Sequence, residues 1–216
     1  YPATADWQKH AYWDDRNDKL VAEESRRFVL GDNHLVFARR ASGSPLKALP
    51  PTEIKQALLL ALRTRGRLTL DDADLQLLGR LRLLHNVLGS PWPAVSDMDL
   101  LDSADTWLAP HLDGLHRLDQ IDRLPLGQLF FQHLDWQLQR QLDALAPSHI
   151  KVPSGSNIRI DYSTDEPVLA VKLQEMFGQT TTPCLVNGKV PLLIQLLSPA
   201  RRPVQVTRDL AGFWAS

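Results

Sequence analysis

The spacing of apolar residues changes once along this chain, between residues 41 and 52, and that change limits the fold more than any other feature. Upstream, residues 19–30 and 34–40 read as two strands around Gly31-Asp32-Asn33, a hairpin with a three-residue loop. Ala41-Ser-Gly-Ser-Pro45 and Pro50-Pro51 bracket a connector. Downstream, the period rises from two to about 3.6, the repeat of an amphipathic helix. Thr52 is expected to cap a first helix carrying Ile54, Ala57, Leu58, Ala61 and Leu62, which Gly66 ends. Leu77, Leu81, Leu84 and Leu88 mark a second, closed by Gly89-Ser90-Pro91. Ser96 with Asp99 reads as a capping box for a third, carrying Leu101, Ala104 and Leu108 and stopped by Pro110. Leu126, Phe130, Leu134, Leu138 and Leu142 form the longest stripe, a fourth helix ending before Pro147. Trp92, Trp107 and Trp136 are expected to pack in or near the core. Residues 1–10 give no clear element, residues 12–18 read as polar turns, and Glu23, Glu24, Arg26 and Arg27 as an exposed strand face.

From residue 147 strands return. Ile158, Ile160 and Tyr162 alternate with Asn157, Arg159 and Asp161, a half-buried strand. After Pro167, the spacing of Leu169, Leu173 and Phe177 predicts a helix ended by Gly178. Asn187-Gly188 is a strong hairpin signal. Val190 to Leu197 is nearly all apolar, as in a strand covered on both faces. Thr207 is expected to cap a last helix carrying Leu210, Phe213 and Trp214. The fold class is therefore α+β: a β-hairpin over 1–45, a four-helix region over 46–146 and a mixed strand-helix module over 147–216, truncated at its C-terminus. A start at Tyr1 without an initiator Met, and a stop soon after the last helix begins, fit a piece of a longer polypeptide.

Chemistry is sparse. Asn187-Gly188-Lys189 ends like a nucleotide-binding loop, but Pro183 stands where the first glycine belongs and Val190 where the magnesium-binding hydroxyl belongs. The seven histidines form no zinc-binding pair on one helix face. Pro153-Ser-Gly-Ser156 is not a nucleophile elbow. Cys184, the single cysteine, excludes an internal disulfide and reads as an inert packed thiol. Asp14-Asp15 and Asp71-Asp72 are explained by turns and helix starts. No run of 18 apolar residues and no signal-peptide pattern occurs, so neither membrane nor export is indicated, and a cytoplasmic location is expected.

The whole chain has a net charge of −1, with no general basic field. Residues 147–216 nevertheless hold seven Lys or Arg against five Asp or Glu. Arg159, Lys172, Lys189, Arg201, Arg202 and Arg208 could converge to hold phosphates, with backbone N–H groups from the helix start near Thr207. The alternative is a solvated surface with scattered ion pairs.

Val152 to Tyr162, Pro167 to Gly178, Gly188 to Leu192, Leu196 to Pro203 and Gln205 to Trp214 resemble the C-terminal region of the HrpB family, bacterial ATP-dependent helicases of the DEAH/DExH-box class. Trp13-Asp14, Trp92-Pro93-Ala94 and Trp107 to Gly114 resemble the same family in the same order. The resemblance implies that residues 12–40 are the last strands of an OB-like module, so that 1–45 is an OB-like remnant. It also implies that ATP and magnesium belong to motor domains absent from this chain, which itself carries no cofactor. The helicase motor motifs and the family's basic C-terminal end are not present. The expected partners are the motor domains of the same polypeptide and single-stranded RNA or DNA. A protein partner bound without nucleic acid is the rival reading, and a membrane is not expected. An independent enzyme with an unrecognised site is the third.

Overall fold

The computed structural model describes residues 7–14, 16–17, 19–30, 33–41 and 49–215, with backbone alone at 27–30 and 33–41. The connector expected after Ala41 and the Gly31-Asp32 part of the hairpin loop lie outside the described residues. Helices and strands occur in separate small groups, an α+β arrangement. The chain forms two compact units: residues 1–69 with 96–124, and residues 70–95 with 125–216.

The first unit begins with an antiparallel meander, β1 (Gln8–Asp14), β2 (Lys19–Leu30) and β3 (Asn33–Ala41). The β2–β3 hairpin was legible. β1 was not, because its polar residues match no period-two pattern, yet Gln8 pairs with Ser25 and Asp14 with Lys19. Of the residues expected on an exposed face, Glu24 is buried and Glu23 and Arg26 are half-buried. Helix α1 (Pro51–Arg65) starts one residue before Thr52: Pro51 occupies the first helical position, where its missing N–H costs nothing, and Thr52 is already inside. Ser96 and Asp99 form the expected capping box of α3 (Asp97–Asp102). The helix stops at Ser103, and α4 (Ala104–Trp107) and a 3₁₀ turn (Ala109–His111) follow before α5 (Leu118–Ile121). Leu58, Leu62, Leu100, Trp107, Leu108 and Ile121 fill the core of this unit. The Trp107 indole N–H donates to the Leu100 carbonyl at 3.0 Å, so a large buried ring keeps its polar atom satisfied. Arg65 clamps Asp122 with two hydrogen bonds of 2.9 and 2.8 Å.

The second unit is built on α2 (Asp72–Leu88), capped reciprocally by Asp71 and Asp74. The expected fourth helix is two helices, α6 (Leu126–His133) and α7 (Trp136–Leu145). Leu134 is extended between them, and the Asp135 carboxylate accepts the Gln137 N–H at 2.8 Å, restarting the helix. The leucine stripe survives because the break keeps its apolar side inward. Trp92 is buried as expected, but Trp136 is 59% exposed, with the Arg140 guanidinium stacked 5.3 Å from its ring.

Two small antiparallel pairs follow: β4 (His149–Lys151) with β5 (Asn157–Arg159), and β7 (Cys184–Leu185) with β8 (Val190–Pro191). The expected strand over 156–162 is hydrogen-bonded as β5 over only three residues, while Ile160 and Tyr162 continue inward and are buried. A three-stranded sheet has the order β10 (Pro203–Thr207), β9 (Leu193–Leu197), β6 (Val168–Lys172). The helix expected after Pro167 is β6, paired in parallel with β9, followed by a 3₁₀ turn over Leu173–Met176. The spacing of Leu169, Leu173 and Phe177 was misleading. Val168 and Val171 are β-branched, and Leu169 and Val171 bury one face at a spacing of two. The opposite face, carrying Ala170, Gln195 and Val206 in register, is open. β9 is thus fully buried on one face only. The last helix, α8 (Leu210–Ala215), is capped by Asp209, whose carboxylate accepts the Gly212 N–H at 2.9 Å. Thr207 instead accepts the Asp209 N–H.

Tyr162 packs against the backbone of α2 at Gly79. A Cβ on residue 79 would lie 2.0 Å from the Tyr162 carbonyl oxygen. Gly79→Ala should therefore lower stability by about 1–3 kcal/mol in urea denaturation, because overpacking exceeds the roughly 1 kcal/mol gained in helix propensity. A stabilised variant would show that this approach of the two backbones does not hold in solution.

Candidate nucleic-acid interface

The six candidate cations do not form one patch. Arg159 ends β5, and its guanidinium donates to Asp72 at 2.6 Å. Arg208 follows β10 and forks onto Glu166, with Nη2 donating at 2.8 and 2.5 Å and Nε at 3.2 Å. These two charges are matched locally. The side-chain charges of Lys172, Lys189, Arg201 and Arg202 form no ion pair with a carboxylate among the described residues, although the Lys172 backbone N–H donates to the Glu175 carboxylate at 3.4 Å.

Three of those four share one end of the three-stranded sheet. Lys172 is opposite Leu197 on β9, and Leu197 is opposite Pro203, next to Arg202. Two strand spacings separate Lys172 from Pro203, about 10 Å. The β9–β10 turn holds both arginines. Ser198 donates its N–H to the Arg202 carbonyl at 2.8 Å, Arg201 donates to the Ser198 carbonyl at 2.8 Å, and the Ser198 hydroxyl accepts from the Arg202 N–H at 3.2 Å. Closing this turn puts Arg201 at φ +60°, the left-handed region that glycine adopts freely and a residue with a Cβ does not. Arg208 sits at the other end of β10, where Thr207 faces Ile194. About 13 Å of strand therefore separates Arg208 from the arginine turn, and Lys189 belongs to the separate β7–β8 hairpin.

The hairpin around Asn187-Gly188 is present, with positive φ at both residues, and the Val186 N–H donates to the Leu145 carbonyl at 2.8 Å. It is a tethered turn, not a phosphate loop. Three donors at the start of α8 are occupied: the Asp209, Leu210 and Gly212 N–H groups go to Thr207, Thr182 and Asp209. Cys184 is exposed rather than packed, with its thiol 3.5 Å from the Thr182 carbonyl. Among the described residues, no group of three or more His, Cys, Asp or Glu could hold a metal ion, and no helix is long and apolar enough to cross a membrane.

Phe177, Val204 and Val206 were missed as surface groups. Phe177 is 60% exposed, and its ring centroid lies 6.0 Å from that of Trp214, whose indole N–H is fixed to the Gln179 carbonyl at 2.7 Å. Reading Phe177 as helix packing hid it. Val204 and Val206 are also exposed, Val206 on the open sheet face.

Asp161 lies at the centre of the contacts that anchor β5 to α2. It accepts from the Gln76 amide at 2.7 Å and the Ser163 N–H at 2.9 Å, and these bonds hold its carboxyl below the usual aspartate range. Burial pushes Asp74 the other way, although the Gly127 N–H donates to it at 2.8 Å. Burial also raises the Tyr162 phenol, whose O–H donates to the Pro147 carbonyl at 2.6 Å.

Residues 107–216 match the family described as the C-terminal region of ATP-dependent helicases, HrpB_C. That match covers half of the chain, and the chain belongs to this family. The ATP-dependent RNA helicase HrpB of Escherichia coli strain K12 is 42% identical over 207 residues, covering 94% of this chain and 24% of that protein. The crystal structure of the E. coli DExH-box NTPase HrpB superposes with a TM-score of 0.78 at 38% identity, covering 98% of this chain and 26% of that one. That of the E. coli DEAH/RHA helicase HrpB gives 0.75 at 37%, covering 100% and 27%. The chain thus spans about a quarter of the length of these relatives.

A depressed carboxyl contributes stability that is present above the unfolded pKa and lost as pH falls through the folded one. Asp161→Asn should therefore reduce stability at neutral pH, and the difference from the parent chain should close as pH drops below the ordinary aspartate value of 3.8. Chemical denaturation at several pH values measures this. A difference independent of pH would remove Asp161 ionisation from the account.

Proposed function

We propose that this chain is an accessory part of a HrpB-like, DEAH-box, ATP-dependent RNA helicase, located in the cytoplasm. It packs against the ATPase motor of the same polypeptide and holds single-stranded RNA or DNA electrostatically. ATP and magnesium act in the motor, and the residues here bind without catalysing. The β1–β3 meander is the tail of an OB-like module. Lys172, Arg201 and Arg202 make the primary phosphate contacts. Arg159, Lys189 and Arg208 are secondary, and two of them must first exchange a carboxylate for a phosphate.

The observation that carries this reading is Arg201. A left-handed backbone costs a residue with a side chain roughly 1–2 kcal/mol, and glycine at that turn would remove the cost. A cation at a strained position, beside two others whose side chains pair with no carboxylate among the described residues, supports a use for the charge itself.

The rival reading, a protein-binding extension that never touches nucleic acid, draws on Phe177, Trp214, Val204 and Val206. Exposed aromatic and aliphatic side chains of this kind occur in protein interfaces.

Arg201→Gly separates folding from binding. It should leave the chain as stable or more stable, yet weaken binding to a labelled single-stranded RNA. The slope of log affinity against log salt should become shallower by about 0.7 for each phosphate no longer neutralised. Replacing Lys172, Arg201 and Arg202 together by Ala should reduce the slope by roughly three times as much. Unchanged affinity and slope in both variants would sink the nucleic-acid reading. Absence of RNA binding by the parent chain at low salt would favour the rival.

A further inference from the structure

We propose that a donor-lined pocket in the second unit, between α2, α6 and the chain from Ser148 to Tyr162, binds a phosphate group. The pocket has a volume of about 300 Å³, at the small end for ligand sites. Its polar lining comes from separate elements: Arg80 and Gln76 on α2, Gln128 on α6, Ser148 before β4 and Arg159 at the end of β5. Buried Ile160 and Tyr162 close it from below.

Two properties define the ligand. First, no carboxylate among the described residues lines the pocket. Asp143, Asp72 and Asp161 are bonded to Arg80, Arg159 and Gln76, but none of them is part of the wall. Second, donors are left over. Arg80 is only 9% exposed; its Nε is locked onto the Ala146 carbonyl at 2.6 Å and one Nη onto Asp143, while its other Nη has no protein partner among the described residues. Arg159 uses one Nη on Asp72 and keeps its remaining N–H groups. The Gln128 amide has no partner there either, and the Ser148 hydroxyl meets only the ring nitrogen of His149, at 3.0 Å. A guanidinium held in place by two bonds loses little freedom on binding an anion. The spare donors come from four different elements, which suits a tetrahedral oxyanion better than a planar carboxylate.

None of these residues except Arg159 belongs to the proposed strand-holding set, so the pocket does not depend on that reading. The phosphate could be a free anion or part of a polynucleotide, and the test separates the two.

The experiment is a ¹H–¹⁵N chemical-shift titration of the full chain with inorganic phosphate at constant ionic strength, with acetate as control. Saturable shifts centred on Gln128, Ser148 and Arg159 are expected with phosphate. Arg159→Gln and Gln128→Glu should each weaken them about tenfold or more, the scale of removing one charge-assisted hydrogen bond or adding one like charge. Gln128→Glu is the folding-neutral variant, since that side chain is exposed and makes no internal bond, whereas Arg80 holds Ala146 in place. Arg201→Ala should leave the titration unchanged. No saturation with phosphate, equal response to acetate, or an undiminished response in Gln128→Glu would overturn the proposal. Binding of 5′-phosphorylated and 5′-hydroxyl single-stranded RNA then assigns the source. Loss of both in Gln128→Glu indicates an internal phosphate, loss of the first alone a terminal one, and loss of neither a free anion. Phosphate saturation without any RNA binding would uphold the pocket while removing the strand-holding function.

Discussion

Tyr162 can reach α2 only because residue 79 has no side chain, and the second unit depends on that approach. The contact aligns the chain from Arg159 to Thr164 along one side of α2, where Gln76 bonds both Asp161 and the Tyr162 N–H. Arg82 takes the Tyr162 and Thr164 carbonyls at 3.2 and 2.7 Å. The Tyr162 hydroxyl ties the same segment to Pro147, and Arg80 bonds the neighbouring Ala146 carbonyl. Backbone polar groups that would otherwise be buried without partners are satisfied by α2 side chains, so irregular chain packs here without a long sheet. Asp161 then pairs in a single bridge with Val168, at the head of β6, which carries the order into the three-stranded sheet.

The charges of this unit divide by what surrounds them. Arg80 is almost buried and bonded on two sides, so removing it would leave a carbonyl unsatisfied. Arg159 and Arg208 form exposed pairs, and such pairs contribute about 0–1 kcal/mol. They hold little and can be exchanged for another anion at small cost. The side chains of Lys172, Arg201 and Arg202 stand at a sheet end and pair with no carboxylate among the described residues. Near-neutral net charge is therefore compatible with local concentrations of positive charge.

Much of the fold was legible where one physical signal dominated. The apolar stripes of α1 and α2, the Ser96–Asp99 box and the turn at Asn187-Gly188 were read from residues alone, since local propensity and packing agree there. The failures occurred where they compete. β6 was read as a helix because three residues happen to recur at spacing four, while pairing with β9, distant in sequence, decided its conformation. Trp136 was read as core because an indole favours burial, but the cap at Asp135 rotates it outward. The sheet-end cations were named in advance, although not their separation from Arg208, which follows from strand register, nor the place of Lys189 in a separate hairpin. Arg80, Gln128 and Ser148 carry no motif. Only the folding of four elements around one space gives them a common role.

The division of the chain into interleaved units bears on where it can be cut. The family's shared segment starts at residue 107, inside the first unit, and omits α2, on which the second is assembled. A stretch of gene delimited by that similarity would encode neither unit whole. Such a stretch would lack Gln76, Gly79, Arg80 and Arg82, the α2 residues against which the chain from Ala146 to Thr164 is held.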